Sequence, residues 1–141
     1  MSATSQAVNF EKTRLVLGKV ELKVEVAENV ERREHGLMFR ETLSDREGMI
    51  FVFQYIQPLS FWKRDTLIPL SIGFFDGNGK LFQVVDMEPA SPIDKTPPIY
   101  RSLKPAKFAL EVAKGWFARS NVLVGAQLEL PQRKDLLKKS K

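Results

Sequence analysis

Residues 69–85 read PLSIGFFDGNGKLFQVV. Two apolar runs rich in strand-forming residues flank Asp76, Gly77, Asn78 and Gly79. Those turn residues tolerate positive φ, so the four reverse the chain and the runs form an antiparallel pair. Pro69 cannot donate to a ladder and marks an edge or a strand start. The stretch sets the fold class, because the segments on either side carry the same strand signal.

Upstream, residues 48–53 (GMIFVF) form a continuous apolar run, the pattern of a strand buried on both faces. LSFW at 59–62 is a further strand. Val20, Leu22, Val24 and Val26 alternate with Glu21, Lys23 and Glu25, giving a half-buried strand with RLVL (14–17) as its partner across Gly18. Downstream, FALEV (108–112) and QLEL (127–130) are strands. Two short helices complete the set. ENVERREHG (28–36) has Asn29 as N-cap and Gly36 as stop, and AKGWFARSN (113–121) has Asn121 to end it in the left-handed region. Residues 88–107 carry five of the eight prolines and read as a long extended loop rather than a regular element. The class is strand-dominated α+β in a single domain over 14–131. Residues 1–13 are a flexible lead-in and residues 132–141 a basic tail.

The chain has 141 residues, 43% of them hydrophobic and 28% charged, enough to bury a core. No run is long and apolar enough for a membrane span, and the start has no signal-peptide pattern as written. With no cysteine and one histidine, thiol chemistry, zinc and copper are disfavoured, and no metal or cofactor is expected. The net charge is +5, but five Lys/Arg against one Asp in residues 133–141 leave only +1 for the rest. The body therefore lacks the basic surface of a nucleic-acid binder. Removing the tail is expected to change stability by no more than about 0.5 kcal/mol.

The segments HGLMFRETL (35–43), EGMIFVF (47–53), SFWKRDTLIPLSIGFFDGNGKLFQVVDMEP (60–89) and AKFALEVAKGWFARSNVLVGAQL (106–128) resemble, in order, the family of domain of unknown function 192 (DUF 192). The resemblance implies a compact domain on a curved, barrel-like and mostly antiparallel sheet, and it favours the bacterial cell envelope or periplasm. It implies no reaction. The chain departs from the family pattern at Lys63, Arg64 and Asp65, where Met-Lys-Asn is usual, and at Ser71 and Ala126, where Asp is usual. A carboxylate role at position 71 would be absent or changed here.

The strongest site candidate is the polar cluster after Phe61. On a strand, Trp62, Arg64 and Thr66 share one face, where an indole and a guanidinium can stack on a ligand and grip an anion. Arg40 and Tyr100 are the further candidates, with the 89–105 loop as a wall or lid. The expected function is a non-enzymatic, envelope-associated accessory or binding domain, monomeric, taking a small anionic or sugar-like ligand. One alternative is a hydrolase using Asp or Glu carboxylates and His35, with Glu34, Asp45, Asp86 and Glu88 as available acids. The other is nucleic-acid binding through the tail. The acids Asp86, Glu88 and Asp94 lack calcium-loop spacing, and no G-x-S-x-G setting supports a serine hydrolase.

Overall fold

The structure is a computed structural model that describes residues 8–62, 65–89, 96 and 98–138. Seven strands form one sheet in the order β6-β5-β8-β3-β2-β1-β9. They are β1 (Glu11–Leu17), β2 (Val20–Ala27), β3 (Glu47–Gln57), β5 (Leu70–Phe75), β6 (Leu81–Met87), β8 (Ala106–Ala113) and β9 (Leu128–Glu129). The remaining strands, β4 (Ser60–Trp62) and β7 (Ile99–Arg101), form a small antiparallel sheet of their own. Every pairing is antiparallel except β2 with β3, which the helix α1 (Val30–His35) connects as a parallel crossover.

The expected turns form. Gly18, at φ 62, closes the β1–β2 hairpin. Asp76 accepts hydrogen bonds from Asn78 N and Lys80 N and so builds the β5–β6 turn. Asn29 Oδ1 accepts from Arg32 N at 2.8 Å, the cap that starts α1. α2 (Trp116–Arg119) is followed by Asn121 at φ 55.

The sheet curls into a half-barrel. A bridge between Lys80 and Gln127 joins its two ends, flanked by Leu81 N donating to Ala126 O and Leu128 N donating to Gly79 O. Both faces are covered, which explains the unbroken apolar run of β3. Ile50 and Val52 point into the enclosed core with Leu15, Leu110, Trp116 and Leu128. Met49 and Phe51 point the other way, into a second core with Leu37, Phe61, Ile72 and Phe74. Each such side chain contributes about 1.5–3 kcal/mol by leaving water. Trp116 satisfies its one polar atom by donating Nε1–H to Asp45 O at 2.9 Å.

Three expectations give way. The proline-rich stretch contains β7, because Ser60, Phe61 and Trp62 pair in register with Arg101, Tyr100 and Ile99. The C-terminal residues, expected as a solvated tail, include a 3-10 helix at Lys134–Leu137 with Leu136 buried against the enclosed core. β1 likewise starts at Glu11, inside the stretch expected as a lead-in. Arg133 ties these ends together, bonding Asp135 at 2.9 Å and Glu28 at 3.3 Å and also reaching Glu11. Deleting residues 133–141 is therefore expected to lower stability by about 2 kcal/mol, measured by urea unfolding, because a buried leucine leaves the core. A change under about 0.5 kcal/mol, the range of surface changes, would mean that this helix adds nothing to the fold.

The same contact carries a pH dependence. The Arg133 hydrogen bond holds the Asp135 carboxyl below its usual range. A depressed carboxyl stabilises the fold fully at neutral pH, and that contribution is lost as pH falls below about 4. Acidification should shift the Leu136 methyl resonances before the global transition. Methyl shifts that stay constant until global unfolding would exclude a separate release of this helix.

Candidate functional site

The helix α1 presents Val30, Arg33 and Glu34 at i, i+3 and i+4, hence on one side. Together with Met38 they form one wall of a cleft of about 490 Å³. Ser60, Phe61 and Trp62 of β4 and Phe53 of β3 also line it. Alternation along β4 divides the aromatics. Phe61 is buried, its ring 5.0 Å from Phe51 and 6.3 Å from Phe53, both edge-on. Trp62 is 58% exposed at the cleft.

Arg33 is the cation among the described residues that line the cleft. Its guanidinium lies 4.8 Å from the Phe53 ring centre, and Nη1 donates to Val52 O at 3.1 Å. Burial pushes its pKa down, with Glu34 opposing, but an arginine remains charged at any physiological pH. The guanidinium is thus held over the Phe53 ring, and its fork of N–H donors is the group that pairs a carboxylate or phosphate.

A smaller chamber of about 30 Å³ adjoins the cleft and shares Arg33, Glu34, Met38, Phe61 and Trp62 with it. His35, Thr66 and Glu111 also line this chamber. Thr66 and Glu111 are buried, the latter at 2% exposure. Two non-glycine residues with positive φ stand beside it, Phe39 at 65° and Asp65 at 53°. Phe39 N donates to Asp65 O at 2.9 Å, which locks the two turns together. Left-handed backbone at such residues costs about 1 kcal/mol each and concentrates at working sites.

The sequence candidates divide. Trp62 and Thr66 meet at the chamber, but not as neighbours on one strand face. β4 ends at Trp62, and the chain turns at Asp65 before Thr66. Arg40 lies elsewhere: it pairs with Glu25 at 2.7 Å and lines a separate cavity of about 260 Å³ with Lys12, Lys23 and Glu47. Tyr100 sits across from Phe61 and packs on the second core, its hydroxyl accepting from Glu88 N at 3.3 Å. Arg64 lies outside the described residues, as do 90–95 and 97 of the supposed lid.

His35 is packed edge-on between Phe10 and Phe39, with Nδ1 3.3 Å from Gly36 O. Ser71, at the position where the family usually has Asp, donates to Asp86 Oδ1 at 2.6 Å and accepts from Gly115 N at 2.9 Å. It therefore joins β5, β6 and α2 and lines neither the cleft nor the chamber. Glu88 pairs with Lys114. No group of three or more His, Asp or Glu among the described residues is placed to hold a metal. No helix among them is long and apolar enough to cross a membrane.

Two residues of the site escaped the sequence reading. Arg33 is one of four successive charged residues in α1, Glu31 to Glu34, and only the helical spacing from Val30 marks its side. Glu111 is the only acidic residue of β8, where Ala106 through Val112 are all buried. A carboxylate between Leu110 and Val112, in a strand buried from Ala106 to Val112, is the signal that could have found it.

The DUF192 family model, described as an uncharacterized ACR, matches residues 13–130. No curated protein matches the chain. Among solved structures, a candidate transcription regulator from Sinorhizobium meliloti is 30% identical, with a TM-score of 0.77 over 87% of this chain and 96% of that one. A protein of unknown function from Novosphingobium aromaticivorans is 25% identical, with a TM-score of 0.76 over 88% and 89%. Both structures share the curled strand-dominated fold, and the family match spans β1 through β9 as well as every residue of the cleft: the chain belongs to the DUF192 family.

Proposed function

We propose that the protein is a non-enzymatic binding domain whose Trp62 cleft takes a small ligand with a flat apolar body and an anionic group. The observation that carries this reading is Arg33, a half-buried guanidinium stacked on Phe53 in the wall of an aromatic cleft. Clefts of this size, mostly apolar with a few placed polar groups, are the usual form of small-molecule sites. The aromatic rings would cover the body of the ligand, and Arg33 would pair with its carboxylate or phosphate. The polar sequence cluster that first drew attention to Trp62 supports the same place. An accessory role in the cell envelope rests on the family resemblance. Nucleic-acid binding through the C-terminus has less support, since Arg133 is neutralised by Glu11, Glu28 and Asp135.

The test is a titration with 3-phenylpropionate, followed by amide and indole chemical shifts. Saturable shifts are expected at Arg33, Phe53 and the Trp62 indole. Trp62→Ala and Arg33→Ala should each weaken binding about 10-fold, the loss of one stacking or charge-assisted contact. A protein whose cleft resonances do not move at millimolar ligand would overturn the reading.

A further inference from the structure

The reading of the Trp62 cleft as a ligand site leaves its inner chamber unexplained. We infer that this chamber is a subsite for one hydrogen-bond-donating group of the ligand, an ammonium, with the Glu111 carboxylate as its acceptor. The ligand class is then a small amino carboxylate with an apolar body rather than a simple organic anion.

Glu111 is costly to bury. In the register of the sheet it stands between Met49 of β3 and Ile72 of β5, on the face that builds the second core. At 2% exposure it is almost wholly out of water. An apolar side chain of similar volume would pack there without the cost of taking a carboxylate out of water, so its presence points to a task other than stability. A carboxylate accepts about four hydrogen bonds, so Glu111 can serve protein neighbours and still hold a ligand.

The chamber itself fixes the size and type of group. Its volume of about 30 Å³ is that of a single water molecule, which an ammonium matches and a second ring does not. It is lined by Glu111, Thr66 and His35, residue types whose carboxylate, hydroxyl and imidazole accept from such a donor. Arg33 lines both chamber and cleft, so a ligand carboxylate paired with it lies beside the place of the ammonium. Opposite charges on one ligand thus meet Arg33, which lines both spaces, and Glu111, which lines the chamber, with Trp62, Phe53 and Met38 beside the apolar remainder.

The experiment compares two probes that differ only in the ammonium group, L-phenylalanine and 3-phenylpropionate, by calorimetric titration of the full chain. L-phenylalanine is expected to bind about 10-fold more tightly, as for a charge-assisted hydrogen bond. Glu111→Gln should bring the two within about 2-fold, by weakening L-phenylalanine more than 3-phenylpropionate. Equal binding of both probes by the wild-type protein overturns the subsite while leaving the cleft reading intact. A preference that survives in Glu111→Gln also overturns the role of Glu111. Binding of neither probe overturns both readings. The wild-type comparison decides the matter even if Glu111→Gln does not fold.

Discussion

Phe51→Ala is expected to lower the unfolding free energy by about 3–5 kcal/mol, measured by urea denaturation. Phe51 is 1% exposed in the central strand β3, between β2 and β8. Its ring meets Phe61 edge-on at 5.0 Å and lines the inner chamber. Removing it leaves a cavity under the cleft that rigid sheet backbone on both sides cannot close. Phe53→Ala, by contrast, takes away a half-buried ring at the cleft, so it should cost less stability and more ligand affinity. If Phe51→Ala unfolds at the same urea concentration as the wild type, the second core does not support the fold in the way described.

Gly48→Ala is expected to cost about 3 kcal/mol although it adds a single methyl group. A Cβ at Gly48 would stand 2.8 Å from the carbonyl oxygen of Glu111 and 3.1 Å from a Val112 methyl. The oxygen belongs to the backbone of β8 and cannot rotate away, so β3 and β8 must separate. Gly73 offers a comparison. Its nearest neighbours are the Phe117 ring and a Leu81 methyl, at 2.7 and 2.9 Å. Those are side chains, which can shift at lower cost than a strand. Gly48→Ala should therefore be the more damaging of the two, and the reverse order would place the tightest approach on the α2 side of the sheet.

The fold was legible in the sequence where local chemistry and tertiary context agree. The DGNG turn, the Asn29 cap and the unbroken run in β3 each state their structure directly. The short strand β7 was hidden, because prolines on both sides give the stretch the composition of a loop and only pairing with β4 makes it a strand. The docking of Leu136 was hidden for a similar reason. Two leucines among basic residues give no period to read, and the three carboxylates that hold Arg133 come from Glu11, Glu28 and Asp135, two of them distant in sequence. The site followed the same rule. Trp62 announced itself by its polar neighbours, whereas Arg33 and Glu111 reach it from a helix and a strand that sequence alone does not bring together. Arg40 had the right chemistry, but the Glu25 pair holds it at another cavity.

The ligand proposed for the cleft lies against Trp62 with its anionic group at Arg33. The most direct measurement is intermolecular nuclear Overhauser effects from the ring protons of bound 3-phenylpropionate. They are expected to the Trp62 indole, the Phe53 ring and the Met38 methyl, and to disappear in Arg33→Ala at the same ligand concentration. Overhauser effects confined to the Arg40 cavity, or effects at Trp62 that persist unchanged in Arg33→Ala, would contradict it.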